Sequence, residues 1–470
     1  MSGIADKLYQ AAPVAIQNVI VSGYGWYRKR LRLSRQFQAE RDAFLSREWF
    51  SRDQWRQYQD EKLREILALA LTRVPYYKTA WRGILNLDQV RGFTVADLPA
   101  LPVLEKAAVR DNAEQFLVDG KPARAHTINH TSGSSGTPIK TYWLPAEMQR
   151  SLAMREARSC RFAGVSYFQP RATFSGRMVE PNPDSEGPFH RFNWFERQVY
   201  FSAFHLRPDT VDRYLDGFRK HRPVWMTGYT HSIYQLGRMA LEQGLSVPVL
   251  KAIITTSEPL TDEMRAVIEA AFHARVFEEY GTVENLFFVC ENEHRQKLIN
   301  PDCGILEVVD RGDTPVPVGT AGAALATGFI RPGQPMIRYR IGDEVILSDE
   351  PARCGRSMPV LAQVTGRLED TVYGPDGRRM VRFHGIFVDQ QNIREGQVIQ
   401  ERLDLLRILV VPNPGYGEVD EKDILARVHE RLGPNVRVVV NTVDAIPRTP
   451  SGKFKAVISK LSSGELAKIR

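Results

Sequence analysis

Between Val224 and Gly281, short apolar runs alternate with helical stretches, a pattern that few folds can accommodate. VWMTGY (Val224 to Tyr229) precedes a helical stretch from Ser232 to Gly244, AIITTS (Ala252 to Ser257) precedes one from Thr261 to Phe272, and VFEEYG follows. Strands joined through helices pair parallel and bury both faces, so continuous apolar runs replace strict alternation. Short apolar strands and helices continue to alternate from Thr127 to about Gly366, and the expected class is α/β with parallel-rich sheets and covering helices. TGY and TTSEP both fall at strand C-termini, the edge where open α/β sheets hold ligands. Upstream, the chain reads as helical to about Asp88, with Leu63, Ile66, Leu67, Leu69 and Leu71 as an apolar set ahead of the VPYY stop. Downstream, ILVVP, a helix from Glu421 to Leu432 and VRVVV form a compact α+β unit. The expected division is a helical segment over 1–90, a large domain over 91–368 and a small one over 369–470.

Four segments carry chemistry. HTSGSSGTPIKTYW (His130 to Trp143) concentrates donors at Thr131, Ser132, Ser134, Ser135 and Thr137, while Gly133 and Gly136 let backbone N–H groups approach a polyphosphate. A Walker loop would need Gly-x4-Gly-Lys-Ser/Thr opening a helix, whereas Pro138 to Trp143 reads as a strand. A hydroxyl-rich linker is the other reading of this segment taken alone. A serine hydrolase using Ser134 or Ser135 with His130 lacks the Gly-x-Ser-x-Gly elbow. In EEYGTVEN (Glu278 to Asn285), Tyr280 can stack on a purine, Thr282 can bond a phosphate and Glu284 can hold Mg²⁺ by a hard oxygen. MIRYRIGDEVIL sets Asp343 past a Gly turn, where a carboxylate can take both hydroxyls of a ribose. IPRTPSGKFKAV puts Lys453 on a loop, suited to a charge delivered to a developing phosphate anion.

In this order the segments resemble the adenylate-forming (AMP-binding) superfamily, and within it the phenylacetate-coenzyme A ligase family, especially its capsule-polysaccharide-associated branch. VPYYKTAW, FNWFERQVYFSAFHL, TTSEPL, TGRLEDTV and PDGRRMVRFHGIF extend the likeness from about Leu45 to about Leu461. The resemblance implies a large adenylate-forming domain followed by a small mobile lid. It makes Thr131, Ser132, Gly133, Ser134, Ser135, Gly136 and Thr137 the phosphate loop, and Ser257, Glu258 and Pro259 the lining of the adenine and acyl pocket. It sets Tyr280 on adenine with Gly281 among the ATP-binding residues, Thr282 on the α-phosphate, Glu284 on Mg²⁺, Asp343 on ribose, Arg367 on ribose or phosphate, Lys453 in catalysis and Glu369 at the hinge. The implied reaction makes an acyl-adenylate from ATP and a small-molecule carboxylic acid, releases pyrophosphate, and passes the acyl group to coenzyme A or to an amine such as an amino sugar or amino acid. A polysaccharide or natural-product pathway would suit the amine route. Two positions depart from the pattern: Ile139 stands where many members carry Lys, with Lys140 one place further on, and the hinge residue is Glu rather than Asp or Lys. A non-catalytic scaffold would have lost Lys453 or Glu284, and both are present.

For the acyl pocket the candidates are Tyr229, Thr230 and Arg177, with Trp143, Phe174, Trp194 and Phe195 as aromatic lining or simple core. Arg177 would pair with a second carboxylate or a phosphate on the substrate. Cys290, His294, Cys303 and Cys354 supply the ligand types of a structural zinc site, a feature some relatives carry here; small buried thiols are the alternative. So few cysteines make no disulfide framework, and with no apolar run long enough to span a bilayer a cytoplasmic location is expected. Asp6, Lys7, Gln10 and Gln17 interrupt the N-terminal apolar positions, and the basic cluster lies on the wrong side for a signal peptide. The net charge of +8 includes RKRLRLSR (Arg28 to Arg35) after SGYGWY, read as a solvated helix packed on the large domain or a peripheral contact with anionic membrane. Scattered basic residues and no nucleic-acid motif argue against nucleic acid, and the sequence leaves the oligomeric state open.

Overall fold

Among the described residues, three long helices come first: α1 (Val14–Arg32), α2 (Arg35–Ser46) and α3 (Arg52–Arg73). The computed structural model describes residues 9, 11–123, 127–130, 139–177, 179–180, 185–367, 372–376, 379–380, 383–387, 390, 392–449, 454–462 and 464–465. α3 starts with a capping box, in which Ser51 Oγ accepts from Gln54 N at 3.3 Å and Gln54 Oε1 accepts from Ser51 N at 2.8 Å. Pro75 ends it, because the preceding residue is pushed out of the helical region: Val74 has ψ 114°. Leu63, Ile66, Leu67 and Ala70 form its buried stripe, while Leu69 and Leu71 are only partly covered, as helical periodicity requires.

β1 (Thr127–His130) and β2 (Lys140–Trp143) pair antiparallel on either side of residues 131–138, and α4 (Pro145–Arg155) follows. Then come β3 (Arg171–Phe174), β4 (His190–Asn193), β5 (Gln198–Phe201), α5 (Val211–His221), β6 (Trp225–Tyr229), α6 (Thr230–Glu242), β7 (Ala252–Thr256), α7 (Asp262–Phe272) and β8 (Arg275–Gly281). β5, β3, β6, β7 and β8 lie side by side and parallel, with β4 antiparallel at the edge.

The alternation expected to run to Gly366 stops at Gly281. β9 (Phe288–Glu291), β10 (Lys297–Ile299), β11 (Gly304–Val309), β12 (Ala321–Gly328), β13 (Tyr339–Ser348) and β14 (Val360–Arg367) succeed one another with no helix between them and pair antiparallel, in the order β8-β9-β10-β14-β13-β12-β11. Antiparallel neighbours need only turns to connect them. β13 shows the consequence, since along it buried and half-buried residues alternate. β8 joins the two regimes: Ala252 to Thr255 of β7 pair with its first half and Phe288 to Cys290 of β9 with its second.

β15 (Val372–Tyr373) pairs with β16 (Arg379–Met380), and β17 (Ile393–Arg402), β18 (Leu405–Pro412), α8 (Glu418–Leu432), β19 (Arg437–Thr442) and β20 (Val457–Ser459) complete the chain. Their sheet runs β19-β18-β17-β20, and it has its own core of Val398, Leu406, Ile408, Val410, Ile424 and Val428. This is the α+β unit expected from the sequence. Among the described residues, no helix is long and apolar enough to cross a membrane.

Buried ion pairs fasten the opening helices to the sheet. Arg158 Nη2 meets Asp302 Oδ2 at 2.9 Å with both side chains fully buried, and Arg47 reaches the same oxygen at 3.3 Å. Glu48 joins Arg356 at 2.7 Å and Arg161 at 2.8 Å. Removing one partner of such a pair strands a charge out of water. Asp302→Ala should therefore cost about 3–5 kcal/mol in chemical unfolding, and a loss below about 1 kcal/mol would show that the pair does not anchor these helices.

Candidate functional site

The C-terminal ends of the parallel strands gather the first half of the site. β7 runs out at Thr256 into Ser257, which adopts a left-handed backbone with φ 72°, costly for a residue with a Cβ and retained where the surroundings enforce it. The turn aims Glu258 at α6: Glu258 Oε2 accepts from His231 N at 2.8 Å, and its carbonyl accepts from Thr230 Oγ1 at 3.0 Å. A carboxylate on the first-turn N–H groups of a helix satisfies orphan donors and complements the helix dipole. The other oxygen, Oε1, accepts from Phe454 N at 2.9 Å. Glu258 therefore ties the C-terminal unit to the large sheet, a role beyond the pocket lining expected of it. Thr230 is fully buried, and burial raises the pKa of the Tyr229 phenol.

Around that tie sits a second set of contacts. The His231 ring stacks on Phe454 at 4.2 Å, and its Nε2 lies 3.4 Å from Glu395 Oε1, which also receives Arg448 Nη2 at 2.7 Å. Burial alone would raise the Glu395 carboxyl; hydrogen bonding and charge from His231 and Arg448 outweigh it and hold the group down at about 2.

The second half of the site comes from the end of β8. Tyr280 donates its hydroxyl to Asp343 Oδ2 at 2.8 Å, and its ring packs on Phe287 at 5.0 Å. Three strands separate β8 from β13, roughly 19 Å in a flat sheet, so the contact requires the sheet to curl until its ends meet. Facing glycines allow this closure: a Cβ on Gly304 would come within 2.0 Å of the Leu286 carbonyl oxygen, and one on Gly328 within 2.9 Å of Leu286 Cα. Gly281 is exposed at the strand end. The Thr282 hydroxyl is buried with no hydrogen-bond partner among the described residues. Glu284 is 5% exposed and accepts the Tyr339 hydroxyl at 3.0 Å on Oε1.

Arg331 fixes this loop from behind. It donates to the Glu284 carbonyl at 2.8 Å, to the Tyr142 carbonyl at 2.9 Å and to Gln334 Oε1 at 2.6 Å, with its guanidinium 4.7 Å over the Trp143 ring. Burial pulls its pKa down to about 10, which leaves it charged at neutral pH, with Glu147 and Glu284 opposing the shift. Gln334 Oε1 also accepts from Tyr142 N at 3.0 Å, so the strand leaving the hydroxyl-rich segment is pinned to the Glu284 loop. Tyr339, Arg331, Gln334, His231, Glu395 and Arg448 were not singled out in the sequence. For Tyr339 a signal exists, since it lies four residues before Asp343 on one strand, where alternate side chains share a face.

Asp343 is 7% exposed and faces Arg367 in the β13–β14 register; the Arg367 side chain lies outside the described residues. So do Thr131, Ser132, Gly133, Ser134, Ser135, Gly136, Thr137, Glu369 and Lys453. The flanks of two of these segments are described. β1 and β2 bracket the 131–138 segment, and Phe454 follows Lys453.

Other expected residues are placed elsewhere. Trp194 and Phe195 sit in the turn before β5, at the N-terminal end of a strand parallel to β3 and β6, opposite the edge that carries Tyr229 and Glu258. They are corrected from acyl-pocket candidates to surface residues, 52% and 47% exposed. Phe174 is core, stacked on Phe201 at 5.2 Å. Arg177 is exposed, with its guanidinium 4.4 Å over Tyr200, and among the described residues it makes no ion pair with a carboxylate. The zinc set is not gathered. Cys290 and Cys303 are fully buried thiols whose pKa burial raises, Cys354 accepts from Asn292 Nδ2 at 3.2 Å, and His294 is exposed. No group of three or more His, Cys, Asp or Glu among the described residues could hold a metal ion.

Comparison with known proteins agrees with this arrangement. A family model of the CapK C-terminal domain matches residues 372–460. Protein CapK of Staphylococcus aureus is 25% identical over 468 residues, covering 97% of this chain and 99% of that one. A phenylacetate-coenzyme A ligase of Thermus thermophilus is 25% identical over 349 residues, covering 69% and 72%. Among solved structures, 2-hydroxyisobutyryl-CoA ligase in the postadenylation state shares the fold, with a TM-score of 0.69, 20% identity, and coverage of 90% of this chain and 93% of that one. The chain is thus similar along its length to CapK and over more than two thirds of it to a phenylacetate-coenzyme A ligase, its last unit matches the CapK C-terminal model, and its fold is that of an acyl-CoA ligase.

Proposed function

We propose that this protein condenses a small carboxylic acid with ATP to an acyl-adenylate and then transfers the acyl group to coenzyme A. The observation that carries the reading is the Tyr280–Asp343 hydrogen bond, which sets an aromatic face, a buried carboxylate and the unpaired Thr282 hydroxyl around one position at the strand ends. Tyr280 would face the adenine, Asp343 would accept the ribose hydroxyls, and Thr282 would donate to the α-phosphate. Glu284, a hard oxygen donor steadied by Tyr339, fits Mg²⁺ held by a single protein carboxylate with phosphates and water. When bound, the ion would neutralise phosphate charge.

A carboxylate resists nucleophiles because it is negative and has no good leaving group. In the first step its oxygen attacks the α-phosphorus while the bond to the β-phosphate oxygen breaks and pyrophosphate leaves with the electron pair. The phosphoryl oxygens gain charge, and donors fixed in advance stabilise that charge without reorganising. We assign this to the hydroxyl-rich segment, Thr282 and Lys453. The Phe454–Glu258 hydrogen bond supports the Lys453 role, since it holds the neighbouring residue at the edge where Ser257 and Tyr229 lie. In the second step the sulfur of coenzyme A attacks the acyl carbon, its proton passes to solvent, and AMP departs with the electrons of the acyl–oxygen bond. We place a rotation of the 369–470 unit about Glu369 between the steps. The contacts described between the units include the Glu258–Phe454 and His231–Glu395 hydrogen bonds, the stacking of Phe454 on His231 and the Arg238 donation to the Arg394 carbonyl, while the apolar cores stay separate, as a reversible interface requires.

The reading is tested by pyrophosphate release across an acid panel with and without coenzyme A. Acid-dependent release with thioester formation is expected; amide formation with an amine acceptor in place of thioester would move the second step to the amine route, and no release with any acid would refute adenylation. Lys453→Ala should slow adenylation by about a hundredfold or more while ATP still binds, and near-normal adenylation would remove the lysine from the step. Tyr339→Phe should raise the Mg²⁺ concentration needed for half-maximal rate by roughly tenfold, and Glu284→Ala by more. Unchanged Mg²⁺ dependence in both would detach Glu284 from the metal.

A further inference from the structure

Helix α1 is arranged inside out. Its inward face is polar or bare: Ser22 Oγ donates to the Phe192 carbonyl at 3.3 Å and accepts from Trp194 N at 3.1 Å, Asn18 Oδ1 accepts from Phe192 N at 2.9 Å, and Gly25 sits against Asn193. These contacts satisfy the outer edge of β4, which no further strand among the described residues covers. Its outward face is apolar. Ile16, Val19, Ile20, Tyr24 and Tyr27 recur at helical spacing and are 42% to 56% exposed, with Trp26 beside them at 44%. A helix built only to seal a sheet edge would present the opposite polarity, and a contiguous apolar face of this kind marks an interaction surface.

Charge identifies what the face meets. Between Val14 and Arg35 the sequence holds five basic residues and no acidic one. Arg28 lies over the Tyr24 ring at 6.0 Å and Arg30 over the Trp26 ring at 4.5 Å, so cations rim the apolar stripe. Two carboxylates beside the helix are already paired: Glu196 is buried with Arg32 and Arg171, and Glu180 meets Arg191 at 3.1 Å. The apolar surface continues onto the exposed Trp194 and Phe195, beside a groove of about 170 Å³ lined by Lys29, Tyr167, Phe168, Phe195 and Arg197. We propose that α1 and the 194–195 turn lie flat on an anionic lipid bilayer, with the apolar face at the acyl boundary and the arginines among the headgroups. A second copy of the chain is the poorer occupant, because apposing two such faces would set the Arg28 and Arg30 clusters against each other. The site described above lies at the opposite ends of the parallel strands from the 194–195 turn, so docking would leave it open.

The test is sedimentation of the full chain with vesicles of phosphatidylglycerol and phosphatidylcholine in equal parts, against phosphatidylcholine alone. Binding to the anionic vesicles, weakened by salt, is expected. Ile16→Ser/Ile20→Ser/Tyr27→Ser and, separately, Arg28→Glu/Arg30→Glu should each reduce partitioning by about tenfold or more, while the unfolding midpoint stays unchanged because these side chains are not part of the core. No binding to anionic vesicles, equal binding to neutral ones, or undiminished binding by both variants would overturn the proposal. So would a dimer in analytical ultracentrifugation that the triple serine variant converts to monomer.

Discussion

The Tyr280–Asp343 hydrogen bond is the contact on which the rest of the architecture turns. It joins the last turn of a parallel α/β sheet to a strand four positions along an antiparallel meander, and a flat sheet would keep them apart. Curling brings Glu284 under Tyr339 and lets Arg331 reach from the β12–β13 connection to both Tyr142 and the Glu284 carbonyl. Parallel strands supply the ligand-binding edge and helix N-termini. The antiparallel half supplies Asp343 from the other side, so the proposed nucleotide site would need both halves.

A second constraint lies in how the C-terminal unit is held. Glu258 satisfies the first turn of α6 with one carboxylate oxygen and Phe454 with the other, so a single side chain couples the geometry of the strand edge to the position of the lysine-bearing loop. His231, Glu395 and Arg448 add a small charged cluster beside it. Because Glu395 is held at about 2, its carboxylate stays ionised through the ordinary carboxylate range, and its contribution is lost only as pH falls towards that value. A contact made of such hydrogen bonds and one ring stack, with the apolar cores separate on either side, can break and reform without unfolding either unit.

The sequence made the parallel half legible because continuous apolar runs separated by helix-length spacers have one economical solution. It misled past Gly281, since short strands buried among neighbours look alike whether parallel or antiparallel, and only the turns between them differ. Family resemblance assigned Tyr280 and Asp343 to parts of one nucleotide, but their direct hydrogen bond carried no signal in the sequence, because it depends on sheet curvature. Trp194 and Phe195 were misread for a related reason: composition suggests an aromatic pocket, but strand direction decides which end of a sheet a residue occupies. The cysteines were read by ligand type, and burial of Cys290 and Cys303 away from His294 shows that ligand type without convergence is insufficient. Arg331 carried no local signal, since its partners come from three distant segments.

The central claim, that both halves of the sheet grip one nucleotide, is tested most directly by a double-mutant cycle on ATP affinity with Tyr280→Phe and Asp343→Asn. Each substitution should weaken binding by about tenfold, and the pair should fall short of the sum by about 1 kcal/mol because the two side chains act through a shared hydrogen bond. Unaltered affinity in both single variants, or strictly additive losses, would contradict a common nucleotide site.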